Sequence, residues 1–233
     1  MADLLTPELW QALMLTLRLA VTVTFFLLLL SVPLAWWISN SRSRAIVLIE
    51  TLVSLPIVLP PTVLGFYLLT LFSPEQPAGR LWFRIAGDTL SFTFAGLVFG
   101  SILYSLPYAV QPLVAAFRSV PGLYLDASTN LGASGWRTFL RIMLPLSQRG
   151  LGVAAMLSFA HTVGEFGVVV MIGGSIPGKT RVASIALYDE VQKLNYPAAH
   201  RFSILLLLVS FIMLLLINLM QQRSKHALNG RVA

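Results

Sequence analysis

The sequence predicts an all-α integral membrane protein with five to six transmembrane helices, and three observations carry that expectation. Hydrophobic residues make up 57% of the 233 residues and charged residues only 11%, with a mean hydropathy of +0.81. A soluble domain is typically about 45–50% apolar and about 25% charged, so this chain has too little charge to coat a soluble globule of its size. The same hydrophobicity excludes a disordered chain. Second, the charges leave long gaps, and roughly 20 apolar residues of helix cross a bilayer core about 30 Å thick. Third, Lys and Arg are distributed unequally between the segments that join those gaps. The absence of Cys excludes a disulfide framework, a Cys-ligated zinc site and a thiol nucleophile.

The spans follow in order. Leu19 to Ser41 is uncharged, and Trp36 and Trp37 at its end fit an interfacial aromatic belt. Asp3 and Glu8 precede it where a secretory signal would be basic, so it reads as a retained span. Thr51 to Pro74 is uncharged, and Pro56, Pro60 and Pro61 inside it predict a kink. Backbone freed in this way is tolerated in a membrane where it is buried in protein or lines a cavity. A kink that serves packing alone is the alternative. Thr89 to Phe117 is uncharged and longer than one span requires; Pro107 and Pro112 are expected to kink or break it, which leaves room for a sixth membrane element. Gly150 to Gly178 carries one charge, Glu165, and Phe202 to Gln222 carries none.

Five alternating spans sort the charges. One side receives Arg42, Arg44, Arg118, Arg137, Arg141, Arg149, Arg223, Lys225 and Arg231; the other receives Arg80, Arg84, Lys179, Arg181, Lys193 and Arg201. Nine against six places the first side in the cytoplasm and the N-terminus outside. The pI near 10.3 is thus a topology signal, and no nucleic-acid partner is expected. No repeat or linker divides the chain, so residues 1–233 read as one transmembrane domain in contact with lipid.

Two loops are sizeable: an outer one over about Ser73 to Ser91, and a cytoplasmic one over about 119–148. In the second, Pro121 suits a first helical turn. The stretch 123–131 can be helical, Gly132 suits a left-handed cap, and Ser134 can cap a second helix that Pro145 limits. Leu123, Leu125, Leu131, Trp136, Phe139 and Leu140 are too apolar for a plain solvated loop and predict docking on another protein.

Here the sequence resembles the importer-type ABC permeases. Their cytoplasmic loop has the form Glu-Ala-Ala, three residues, Gly, nine residues, Ile, one residue, Leu-Pro. This chain has Asp126, Ala127 and Ser128, then Gly132, Ile142, Leu144 and Pro145 at that spacing, with Asp126 in place of Glu and Ser128 in place of the second Ala. The resemblance implies an ABC importer type I permease fold in a bacterial-type inner membrane. It implies that the loop is a coupling helix docking on a separate ATPase subunit, present in two copies. ATP hydrolysis would then belong to that partner, with no catalytic site and no cofactor on this chain. A rigid apolar helix suits that role, because a disordered loop would absorb the movement it must transmit.

Two further segments narrow the family. Ser54 to Leu69 holds the three prolines, Thr62 and Gly65. Ser158 to Gly167 holds Ser158, His161, Thr162, Gly164, Glu165, Phe166 and Gly167. A charged carboxylate at mid-bilayer costs about 2.5–3.5 kcal/mol on insertion scales, so Glu165 marks a functional site or a hydrogen bond to a neighbouring helix. Gly164 and Gly167, with Ala160, permit close helix approach. Leu55-Pro56, Leu59-Pro60-Pro61, Gly65, Gly164-Glu165-Phe166-Gly167, Ile176-Pro177-Gly178 and Thr180-Arg181 resemble the molybdate/tungstate ABC permeases, across about Leu9 to Phe202. Sulfate permeases are similar but usually have Tyr at position 166 and run longer. The resemblance departs at Lys179, where Glu is frequent, and at His161, where Arg is common. It implies a homodimeric pathway and an extracytoplasmic oxyanion-binding protein. Polar residues such as Ser54, Thr62, Ser158 and Thr162 would line a passage without trapping a dianion, and Lys179 and Arg181 would attract an anion or the binding protein.

Three patterns mislead. Gly173 to Thr180 satisfies the P-loop spacing, yet follows a membrane segment rather than a strand. His161 and Glu165 would share a helical face, which suggests a hydrogen bond between them rather than a metal site, since metals usually take three or four ligands. Ser158 with His161 suggests a hydrolase only by residue type, without a nucleophile elbow. A membrane-embedded enzyme built on His161 and Glu165 is the alternative from another class.

Overall fold

The computed structural model describes the backbone of residues 6–41 and 43–229, with side chains described up to 219 apart from 217. The side chains of Asp3, Arg42, Arg223, Lys225 and Arg231, used in the charge readings, lie outside the described residues. Among the described residues, three helices are long and apolar enough to cross a membrane, and two bent helix pairs bring the number to five if each pair is one span.

Helix α1 (Pro7–Asn40) starts earlier than its charge-free stretch, because Thr6 caps it by accepting from the Leu9 amide at 3.3 Å. The second span is α2 (Ala45–Val58) followed by α3 (Pro61–Leu71), bent by 110°. The cause is local. A residue before proline is pushed out of the α region, and the pair Pro60-Pro61 imposes this on both Leu59 (ψ 134°) and Pro60 (ψ 131°). A short helix α4 (Pro77–Ala86) lies in the next loop and is closed by Gly87 at φ 73°.

Helix α5 (Phe94–Arg118) corrects an expectation. Pro107 and Pro112 both lie inside it and it runs unbroken, so no sixth element arises there. Its packing against α1 and against the later helix Gln148–Gly164 holds the course of the helix where the proline carbonyl partners are lost. The hairpin is α6 (Gly122–Asn130), a corner at Gly132 with φ 76°, and α7 (Gly135–Thr138). Pro121 is the cap residue of α6 rather than a member of its first turn. A π turn (Phe139–Met143) and α8 (Leu144–Leu146) follow. Proline at 145 cannot donate to the Arg141 carbonyl and crowds it, and the widened turn gives it room.

Helix α9 (Gln148–Gly164) leaves the hairpin at a bend of 72°. The fourth span was expected to continue; instead it breaks at Glu165 and Phe166, and α10 (Gly167–Gly173) begins anew. Helices α11 (Ala183–Gln192) and α12 (Tyr196–Asn229) complete the chain.

Helices α1, α5 and α9 form the centre. Lipid tails are as apolar as Leu, so packing and close approach, rather than exclusion of water, hold such a centre together. Ala20, Ala35, Ala109, Ala154, Ser105 and Ser158 are fully buried and bring the helices close. One apolar cluster includes Leu19, Leu97 and Ile185; a second, towards the hairpin, includes Leu113, Phe117 and Phe139. Trp36 packs in this second region, 4.8 Å from Phe139 and 5.9 Å from Trp136, while Trp37 is exposed.

Candidate functional site: a cavity between two broken spans

The two helix breaks meet. A Cβ on Gly167, the first residue of α10, would lie 2.5 Å from the Pro61 Cβ at the start of α3. One turn further, a Cβ on Gly65 would lie 2.7 Å from the Met171 Cβ. Only glycine permits this seam. The sequence placed Gly164 in the same role, but nothing lies within 4 Å of its would-be Cβ; it is exposed at the end of α9.

A cavity of about 520 Å³ opens beside the seam, lined by Pro61, Thr62, Tyr104, Ala160, His161, Gly164, Glu165, Phe166 and Gly167. Six of the expected pathway residues are therefore neighbours in its wall. Pro56 sits half-buried within α2 and Pro60 at the break itself. Ser158 and Thr162 are not in the wall. Both are buried, and the Thr162 hydroxyl donates to the Ser158 carbonyl at 2.9 Å and lies 3.4 Å from Ser105 Oγ. Ser54 lies in a separate groove, accepting from Gln111 Nε2 at 3.0 Å near the Arg118–Glu50 ion pair.

His161 does not pair with Glu165. The helix ends between them, so the expected shared face does not exist. Instead His161 Nδ1 lies 2.8 Å from Ser105 Oγ, and the ring stacks on Tyr108 at 3.9 Å with Tyr104 at 4.8 Å. The Glu165 side chain is 3% exposed and neither carboxyl oxygen has a hydrogen-bond partner among the described residues. Ser101 is its neighbouring hydroxyl, without hydrogen-bond geometry between the two. No Lys or Arg is among the cavity's nine lining residues.

At the hairpin end, Asp126 and Ala127 are exposed, and Leu123 and Leu131 are 75% and 87% exposed. Tyr124, Trp136 and Leu140 add to this apolar surface, whereas Phe139 and Leu125 turn into the core. Ser128 is buried and its hydroxyl meets Thr138 Oγ1 at 2.7 Å, tying α6 to α7. Ser134 accepts from the Arg137 amide at 3.4 Å as the cap of α7. Ile142 and Leu144 are half-buried in the following turn, and Pro145 is exposed.

At the opposite end, Arg181 is occupied. Its Nε donates to Asp189 at 2.9 Å and its Nη2 to Glu190 at 3.3 Å, so it is a structural cation rather than a free one; Lys179 is exposed. A hydrogen bond from Lys193 at 2.9 Å holds the Glu190 carboxyl below the usual carboxylate range, opposed by burial and reinforced by Asn195 and Arg181. The P-loop-like stretch folds on itself: the buried Thr180 hydroxyl donates to the Gly173 carbonyl at 2.7 Å and accepts from the Ile176 amide at 3.1 Å. Residues the sequence gave no reason to choose are Ser184, whose Oγ donates to the Glu165 carbonyl at 2.6 Å, and Tyr188, whose ring lies 4.9 Å from Phe166.

The fold is a membrane-type helical bundle whose two interrupted spans meet beside a largely apolar cavity, with an apolar hairpin exposed at one end. The chain belongs to the binding-protein-dependent transport system inner membrane component family, which it matches over residues 31–228. It is 48% identical over 203 residues to the molybdenum transport system permease protein ModB of Azotobacter vinelandii, covering 87% of this chain and 90% of that one. It is 32% identical to ModB of Escherichia coli K12 (81% and 82% covered) and 30% identical to the sulfate transport system permease protein CysT of the same strain (93% and 78%). Its fold matches a bacterial ABC transporter involved in alginate import, with TM-score 0.76 at 20% identity over 94% of this chain and 80% of that one. It also matches the MetNI methionine ABC transporter, with TM-score 0.67 at 16% identity over 98% and 96%.

Proposed function

We propose that this chain is the permease subunit of an ATP-driven molybdate importer, with tungstate as a second substrate. The 48% identity to the A. vinelandii molybdenum permease over most of both chains carries the reading. The cavity chemistry supports it: a wall without Lys or Arg offers a tetraoxo dianion hydroxyl and ring contacts but no fixed cation to trap it. Tight binding then belongs to a separate extracytoplasmic protein.

Two copies of the chain form the pathway at their interface, and exposed apolar residues on α2 and α3 such as Leu55, Phe66 and Tyr67 are available for that contact or for lipid. The hairpin end faces the cytoplasm and the N-terminus lies outside. Two ATPase subunits dock on the exposed face of α6, where Leu123, Asp126 and Ala127 contact them, with Leu131 at the corner. Ser128, Gly132, Ile142, Leu144 and Pro145 fix the hairpin's shape behind that face. Glu165, Phe166, Gly167, Pro60, Pro61 and Thr62 form the gate.

The test is uptake into vesicles holding this chain, its ATPase and its binding protein, with molybdate, tungstate and sulfate in competition. Molybdate uptake suppressed by tungstate and indifferent to excess sulfate is expected. Preferential uptake of sulfate, the substrate in the CysT relative's name, would overturn the assignment.

A further inference from the structure

Helix α10 is held by one rigid unit at both of its ends. The unit comprises α11 and the segment before it, residues 174–182. It is internally braced: Ser175 Oγ donates to Asp189 at 2.5 Å and Arg181 Nε donates to the same carboxylate at 2.9 Å. It is anchored to α1 by the Ala183 amide, which donates to the buried Thr16 Oγ1 at 2.8 Å. From this base it reaches the start of α10 twice. Ser184 Oγ donates to the Glu165 carbonyl at 2.6 Å, and the Tyr188 ring packs on Phe166 at 4.9 Å. Positions 184 and 188 are four apart on α11, hence on one face. At the far end of α10, Thr180 Oγ1 donates to the Gly173 carbonyl at 2.7 Å.

These contacts have a mechanical consequence. The break at 165–166 leaves α10 free of α9, so this seven-residue helix takes its place from its seam with α3, its packing on α5 and its contacts to the 174–192 unit. With three contacts to the 174–192 unit, α10 follows that unit. Through Gly167 against Pro61 and Gly65 against Met171, α3 follows α10. The cavity wall is drawn from both breaks, so its width is set from the end of the molecule opposite the hairpin.

We infer that the α11 unit is the control element of the gate, and that Ser184 and Tyr188 are its positioning residues. Displacing the unit moves α10 and α3 together and opens or closes the cavity. Neither residue touches the permeating ion. The inference rests on the reading of the chain as a permease and of the cavity as part of its pathway; it does not depend on which oxyanion is carried.

The chain has no cysteine, so a single one is a clean reporter. Gly164 lines the cavity and has open space where a Cβ would stand. Gly164→Cys is introduced alone and with Ser184→Ala, Ser184→Thr, Tyr188→Ala or Tyr188→Phe. The full complex with its ATPase, in proteoliposomes, is treated with a charged methanethiosulfonate with and without ATP. A hydrogen bond of ordinary net strength predicts about a fivefold faster labelling without nucleotide for Ser184→Ala, with a blunted response to ATP. Tyr188→Ala behaves likewise, while Ser184→Thr and Tyr188→Phe stay near the parent. Labelling that is equal in the Ala and conservative variants overturns the inference, including where Ser184→Ala lowers the melting temperature without changing labelling, because that is a purely structural role. If Ser184→Ala does not assemble, the Tyr188 pair decides by the same criterion. No substrate is present, so an error in the oxyanion assignment appears in the uptake competition and leaves this result untouched.

Discussion

Substituting Gly167 by Ala places a methyl group 2.5 Å from the Pro61 Cβ. Carbon atoms at rest are about 3.5–4.0 Å apart, so the shortfall is about 1 Å or more. The obstacle is a proline ring at the first position of α3, with no rotamer that moves its Cβ aside. Either α3 or α10 must shift. Overpacking of this kind costs about 1–3 kcal/mol. Replacing glycine by alanine in a helix returns at most about 1 kcal/mol, and less at a first position. The clash wins, and the arrangement in which the breaks touch loses about five- to 150-fold in population if the whole 1–3 kcal/mol falls on it. The assay is ATP-dependent molybdate uptake by reconstituted vesicles, with complex assembly measured on the same sample. Gly167→Ala should assemble and transport at less than one fifth of the parental rate. Gly164→Ala, with open space around its Cβ, should transport normally. Equal rates for the two variants would refute the argument that the seam between the breaks requires glycine.

Three other outcomes follow from the hairpin and the opposite end. Leu131→Asp, at a residue 87% exposed, should leave the melting temperature unchanged and abolish co-purification of the ATPase. Gly132→Pro should insert normally yet lose substrate-stimulated ATP hydrolysis, because φ near +76° is closed to proline; Gly132→Ala should fall between, at a cost of roughly 1–2 kcal/mol. The Glu190 carboxyl is depressed by Lys193, Asn195 and Arg181, so its contribution is present above the unfolded carboxylate value, about 4.3, and lost as pH falls through the folded value. Melting in detergent should therefore decline in acid for the parent, and Glu190→Gln should remove part of that decline while lowering stability at neutral pH.

Much of the architecture was written in the chain as gaps between charges. Five stretches, four without charge and one carrying only Glu165, became three long helices and two interrupted spans. The first break was legible because consecutive prolines act on their own neighbours. The hairpin corner was legible because Gly132 carries a local backbone requirement. The second break was not. Glu165 and Phe166 leave the helix without any proline, and the reason is tertiary: Ser184, nineteen residues later, takes the Glu165 carbonyl that a continuing helix would have used. The same distance hid the partner of His161, which is Ser105 rather than Glu165. Pro107 and Pro112 misled in the other direction, because packing on both sides of α5 overrode a local preference. Phe92 and Leu194 occupy positive φ without being glycine, at 63° and 58°, and nothing in the local sequence announces it; the Phe92 N–H donates a hydrogen bond to the Ile172 carbonyl at 2.9 Å.

The brevity of α10 has a geometric consequence. At 1.5 Å per residue its seven residues make a rod about 10 Å long. A rod of that length, tilted by about ten degrees about one end, carries its other end through about 2 Å. Had the fourth span run unbroken, the same tilt would have had to bend a helix several turns longer, packed along α5 and α1. Cutting the span at Glu165 thus leaves a helix short enough to tilt without bending the long helices beside it.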